Sequence, residues 1–240
     1  MKISEIYEFL NSLSPFELQE GWDNSGLLLG DFNQDIKKIV LSIDVDEALV
    51  DSMDEDTLLI THHPIIFGGL KQLQFNQYPA NLIHKMIRKN ISNIAMHTNF
   101  DQTHLNEYVA KEVLGYEIQE KDGFVAYLDV NEDFDTFAAK VALAFSLPHA
   151  KCVKSSEFIK RVALTTGSGC SLIKSIDADC FLTGDVKYHD AMEAKSINLS
   201  LIDIGHFESE HFFAEILLKH LKILGLEAII ASSKNPFTYI

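Results

Sequence analysis

Short apolar runs recur along the chain between polar stretches, and their spacing alternates between strand-like and helix-like periods. Residues 3–12 carry apolar positions at helical spacing. Ser14-Pro15-Phe16-Glu17 has the form of a capping box with proline at the first helical position. The loop 21–26 (GWDNSG) is rich in turn formers, and Leu27 to Leu29 reads as a short strand. A regular rhythm follows. Strands are predicted at 38–43 (KIVLSI), 58–61 (LLIT) and 94–97, with helices near 47–53, 80–89 and 103–113. The second half repeats the rhythm, with strands at 161–165 (RVALT), 180–183 (CFLT) and 199–204 (LSLIDI). Its helices fall near 171–175, 187–195 and from about 208 to 221. Such alternation predicts an α/β fold with largely parallel sheets. The two halves read as copies of one β-α-β-α-β-α unit, the first over residues 1–120 and the second over 121–240.

Composition narrows the function classes. Hydrophobic residues make up 47% of the 240, enough for a substantial core. No apolar run approaches the ~18 residues of a membrane span. The start, MKISEIYEFL, lacks the parts of a secretory signal, so a cytoplasmic protein without membrane partners is expected. Cys152, Cys170 and Cys180 form no CxxC pair, which argues against a disulfide framework and against a cysteine zinc site. The formal net charge is −15, and the longest basic cluster is Lys85, Arg88 and Lys89 on a predicted helix face. Nucleic acid is therefore not an expected partner, because binding through phosphates needs a basic patch.

The chemistry-bearing residues gather at predicted strand ends, where open α/β sheets place their sites. His62-His63-Pro64 follows LLIT. His97-Thr98-Asn99-Phe100-Asp101 ends the third strand, and Gly205-His206-Phe207-Glu208-Ser209-Glu210 follows LIDI. The last two share the pattern His-x-x-x-acid at equivalent points of the repeats. Imidazole with carboxylate suits zinc, iron(II), manganese or nickel. His62, His63, Asp101, His206 and Glu210 exceed what one ion with an open position needs, so two ions sharing a carboxylate are expected between the halves. His97 reads either as a ligand or as a group that orients one. His84, His104, His149, His211 and His220 read as structural.

Two further strand-end loops stand out. Thr166-Gly167-Ser168-Gly169 reads either as a backbone cradle for a phosphate or as a plain tight turn. Thr183-Gly184-Asp185, with Lys187 and His189, reads as a pocket wall facing a substrate, or as a helix cap made by Asp185. Neither a dinucleotide-type GxGxxG nor a Walker-type lysine loop is present.

Taken together, GWDNSGLLLG (21–30), THHP (61–64), HTNFD (97–101), TGSG (166–169), TGDVKYH (183–189), GHFESE (205–210) and NPF (235–237) resemble the NIF-three-like family. These are the GTP cyclohydrolase type 2 homologues, also called dinuclear metal-centre hexameric proteins. The resemblance covers essentially the whole chain. It implies two intertwined, structurally repeated α/β domains with mixed, mostly parallel sheets, assembled as a hexameric ring. It also implies two divalent metal ions per chain (iron, zinc or manganese) held by His62, His63, Asp101, His206 and Glu210. His97 and His189 are left as groups that orient a ligand or face the substrate. Two functions follow as expectations. One is a metal-dependent hydrolase acting on a nucleotide or related phosphate compound. The other is a non-enzymatic ring-shaped scaffold, regulator or metal carrier.

Overall fold

In a computed structural model of the chain, which describes residues 1–223, 225–231 and 234–238, the apolar runs become buried strands. The strands belong to two compact units, Met1–Phe100 with Phe213–Ile240, and Asp101–Phe212. The first unit contains α1 (Ile3–Leu13), β1 (Gly26–Leu29), β2 (Lys38–Ser42), α2 (Glu47–Ser52), β3 (Thr57–Thr61), α3 (Ala80–Arg88), β4 (Ser92–Ala95) and α4 (Thr98–Phe100). The second contains α5 (Asn106–Tyr108), β5 (Ile118–Asp122), β6 (Val125–Asp133), α6 (Phe134–Ala144), β7 (Lys151–Val153), β8 (Phe158–Leu164), β9 (Cys180–Thr183), α7 (Tyr188–Ser196), β10 (Ser200–Asp203) and α8 (His206–Glu210). The chain then returns to the first unit with α9 (Phe213–Ile223) and β11 (Ile229–Ile230).

Each unit is an α/β layer around its own mixed sheet. The first sheet has the order β1-β4-β3-β2-β11, and the second β5-β6-β8-β9-β10-β7. The repeat expected from the sequence is visible in the pairing. The parallel trio β2, β3, β4 has its counterpart in β8, β9, β10. In both units an antiparallel strand covers the far edge of the trio, β1 against β4 and β7 against β10. Every residue of β3 and of β9 is buried, as expected for central strands covered on both faces. The first core packs Val40, Leu59, Ile83 and Met86 together; the second packs Leu128, Phe137, Val162 and Leu182.

Several elements depart from the sequence reading. No element was expected between 114 and 160, yet β5, β6, α6 and β7 lie there. β5 (IQEKD) is a polar edge strand with no apolar alternation to announce it. β6 runs directly into α6 at Asp133, so no turn residue separates the two periods. The helix expected over 208–221 is two helices, α8 and α9. The segment expected as a helix over 103–113 begins earlier, at Thr98, and contains two stretches of wide helical turn, Asp101–Leu105 and Val109–Val113. The expected capping box at Ser14 is absent. The Phe16 amide donates to Asn11 Oδ1 at 3.0 Å, while Ser14 Oγ accepts from Asn99 Nδ2 at 3.1 Å. Only a single tight turn, Phe16–Leu18, follows.

Lys89, at the carboxyl end of α3, illustrates how the helices are tied to one another. Its ammonium donates to the carbonyls of Val50, Asp51 and Met53 at 2.8–3.0 Å, closing the carboxyl end of α2. A cation there satisfies terminal carbonyls and complements the helix dipole. Lys89→Met keeps the stem and removes the donors. It is expected to cost about 1.5–3 kcal/mol, read from the denaturant midpoint.

Candidate metal centre

The two trios carry polar residues where their strands end. His62 and His63 extend β3, and their amides donate to the carbonyls of Ser42 and Ile43. His97 follows β4, Asp44 follows β2, Asp185 follows β9, and His206 follows β10. Backbone pairing carries on past the strand ends, so these side chains stand on a rigid base.

Four histidines share one arrangement. His62 Nδ1 donates to the Met96 carbonyl at 2.9 Å. His63 Nδ1 donates to Asp44 Oδ1, His97 Nδ1 to Asp23 Oδ1, and His206 Nδ1 to Asp185 Oδ2, each at 2.7 Å. A carbonyl or carboxylate oxygen only accepts, so Nδ1 must carry the proton in each ring. The neutral imidazole then presents the Nε2 lone pair, which is the form a metal needs. In the first unit, one ring nitrogen from each of His62, His63 and His97 lies within 4.8 Å of the others. The ring centroids are 5.1–5.5 Å apart.

The fastening of His97 explains the GWDNSG loop. The buried Asp23 carboxylate also accepts from the Thr98 amide and hydroxyl and from the Asn24 amide. Burial works to raise the pKa of Asp23. The hydrogen bond and charge of His97, with those donors, outweigh it and hold the carboxyl well below the usual carboxylate range.

The second unit assembles acids around the TGSG loop. Thr166 Oγ1 donates to Asp101 Oδ1 at 3.2 Å, and both residues are buried. The next residue, Gly167, has a φ of +63°, and a Cβ there would lie 2.0 Å from Glu210 Oε1. One short loop therefore brings the Asp101 and Glu210 carboxylates together. Glu210 Oε2 in turn lies 3.1 Å from His206 Nε2, one turn earlier on α8. Two acceptor atoms at that separation call for a shared proton or a cation. Buried carboxylates beside a half-buried imidazole can hold a metal ion.

Other expected roles are placed differently. TGSG is committed to structure. The Thr166 amide donates to Asn106 Oδ1, Gly167 to Ser209 Oγ and Gly169 to Thr183 Oγ1, so these amides are not offered to a phosphate. Asp185 orients His206 instead of capping a helix. His189 lies exposed on α7 beside Tyr188 and belongs to no group that could hold a metal ion among the described residues. His84 stacks on Phe75, and His211 bonds the Glu208 carbonyl, in keeping with structural roles. Burial, followed by neighbouring acids, pushes the Cys170 thiol up to about 12, and burial also raises Cys180. Neither thiol belongs to a group that could hold a metal ion among the described residues. The sequence reading missed Asp23, Asp44 and Asp185 as partners of the ring nitrogens. Each is an acid within a turn-rich loop or at a strand end, but its ring partner lies 19 to 74 residues away along the chain.

Comparison with known proteins places this geometry. The sequence profile of the Duf34/NIF3 (NGG1p interacting factor 3) family matches residues 1–236. The chain belongs to that family. A relative from Campylobacter jejuni, named GTP cyclohydrolase 1 type 2 homolog, is 51% identical over 242 residues, covering 100% of both chains. A Helicobacter pylori protein named GTP cyclohydrolase 1 type 2 is 43% identical and covers 99% of both. Among solved structures, a Staphylococcus aureus hypothetical protein superimposes with a TM-score of 0.85 at 27% identity, covering 100% of this chain and 99% of that one. Reduced HcgD from Methanocaldococcus jannaschii superimposes with a TM-score of 0.82 at 25% identity, covering 96% of each. The Duf34/NIF3 fold thus extends over the whole chain. Among the described residues, no helix is long and apolar enough to cross a membrane.

Proposed function

We propose that this Duf34/NIF3 protein is a cytoplasmic metal-dependent hydrolase with two divalent ions per chain. Its substrate is a nucleotide or related phosphate compound, as the names of the Campylobacter and Helicobacter relatives suggest. The ligands are His62, His63, Asp101, His206 and Glu210, contributed by the two repeats over 1–120 and 121–240, and the chains assemble as a hexamer. The observation that carries this reading is the shared tautomer of the histidines, each with Nδ1 held by an acceptor.

When bound, iron, zinc or manganese supplies Lewis-acid activation of water at neutral pH. The chain's own residues do the rest. Asp44 and Asp185 fix the rings of His63 and His206, and Asp101 and Glu210 supply the negative charge that retains divalent cations. His97, backed by Asp23, accepts a proton at Nε2, and Asp23 stabilises the imidazolium that results.

Asp185→Ala leaves the ligands in place but releases the His206 ring. It is expected to weaken metal binding roughly 10–100-fold with the fold intact, read by competition with a chelating dye. The deciding experiment measures metal per chain in protein purified without a metal-binding tag. GTP ring opening and phosphoester hydrolysis are then assayed before and after chelation. Turnover that disappears with the metal and returns on its readdition supports the hydrolase. Metal without turnover favours the scaffold, regulator or carrier reading. Wild-type protein that stays empty after incubation with iron, zinc or manganese overturns the metal centre itself.

A further inference from the structure

Trp22 is the chain's single tryptophan, and 60% of it is exposed. Phe67 lies beside it with 52% exposed, the ring centroids 5.8 Å apart and tilted by 54°. Exposed aromatics are common on flexible loops, but this pair is fastened from both sides. Asp23 is bonded to His97 and Thr98, and Asn24 Nδ2 donates to the Ile66 carbonyl at 2.5 Å. The residues next to each aromatic are therefore locked while the rings are held out. Burying two such rings would contribute several kcal/mol, and the fold forgoes it. An exposed apolar feature on a rigid base points to a ligand.

The pair also faces chemistry. The His97 ring lies 6.3 Å from Trp22 and 6.1 Å from Phe67, edge-on to both at 76°. The three rings form an aromatic corner with His97 at its apex, and His97 belongs to the histidine group described above. Leu70, Leu73 and Phe75 are also exposed farther along the segment that carries Phe67, but Trp22 and Phe67 are the rings that meet His97. That corner is far smaller than the about 800 Å² per side that a protein partner of ordinary size buries. It matches one planar heterocycle, which stacks on one ring and meets the edges of the others.

We propose that Trp22 and Phe67 are the ring-binding element of the site and stack the purine base of the substrate beside His97. This rests on the hydrolase reading above, whose substrate class it makes specific. It assigns the binding of the base to residues outside the metal ligand set.

Because Trp22 is the only tryptophan, its emission reports the event directly. Guanosine is titrated into metal-loaded protein, with ribose as the ring-free control, and metal per chain is measured in the same samples. Saturable quenching by guanosine and not by ribose is expected. Phe67→Ala, an exposed substitution that leaves the thermal midpoint unchanged, should weaken guanosine binding on the order of tenfold. Trp22→Ala should lose it to a similar extent by calorimetry while retaining its metal. Metal-loaded protein whose emission ignores guanosine at millimolar concentration overturns the proposal and leaves the metal reading standing. So does emission that follows protein concentration instead of guanosine, since the rings would then be covered by a second copy. Metal-free protein that still binds guanosine through both rings upholds the stacking element and overturns the metal reading alone.

Discussion

Replacing both Asp101 and Glu210 by alanine is expected to abolish metal binding and, with it, the protein's thermal response to chelators. The two carboxylates are among the most buried acids in the chain, 7% and 2% exposed. Burying a carboxylate is costly unless a cation or strong donors compensate it. Thr166 supplies one donor to Asp101, and His206 Nε2 stands 3.1 Å from Glu210. A divalent ion offsets far more of that cost and binds only the folded state. At a free concentration of ~1,000 times Kd it adds about 4 kcal/mol to stability. In a chain of this size that corresponds to a shift of roughly 10 °C in Tm. Chelation should therefore lower the Tm of the wild type by about that amount and leave the double variant unmoved. Metal analysis should give about two ions per chain falling to none. The chelated wild type should be no more stable than the variant, because it retains two buried acids without their cations. Equal responses of both proteins to chelation would show that these acids are not ligands.

Much of this arrangement was legible in the residues. The strand ends could be placed because apolar runs such as TLLIT and CFLT stop at polar residues of unusual type. Their equivalent positions in the two halves made the repeat visible, and the parallel trios bear it out. The tethering of the rings was not legible. Asp23 lies 74 residues before His97, and Asp185 precedes His206 by 21, so nothing local couples them. Only the pairing of strands in three dimensions brings those acids to the ring nitrogens. The same holds for TGSG. Its glycines suggested an open anion cradle, whereas its amides are consumed by Asn106, Ser209 and Thr183, side chains that come from α5, α8 and β9. The segment 114–160 escaped for the opposite reason. Its strands are polar or run straight into a helix, so the period changes without punctuation.

Gly167 carries the sharpest test of how the loop 166–169 holds the two carboxylates. Its φ of +63° is unfavourable for any residue with a Cβ, at a cost of roughly 1–2 kcal/mol. The added carbon would also sit 2.0 Å from Glu210 Oε1. The backbone cannot retreat, because the Gly167 amide is held by Ser209 Oγ at 3.0 Å and its carbonyl accepts from the Gly184 amide at 2.7 Å. Glu210 is buried and cannot swing into solvent. Overpacking of this kind adds ~1–3 kcal/mol, so Gly167→Ala should destabilise by about 2–5 kcal/mol in total. Gly21→Ala is the control. It has nothing within 4 Å and an ordinary φ, and its effect should stay within ~0.5 kcal/mol. A double-mutant cycle separates the two contributions to the larger effect. In a Glu210→Ala background the clash is gone and only the backbone cost remains, so the penalty of Gly167→Ala should fall to about 1–2 kcal/mol. A penalty unchanged by Glu210→Ala would mean that Gly167 is required for its backbone conformation alone. A reduced one would mean that this glycine is there to let a buried carboxylate lie against the loop that also holds Asp101.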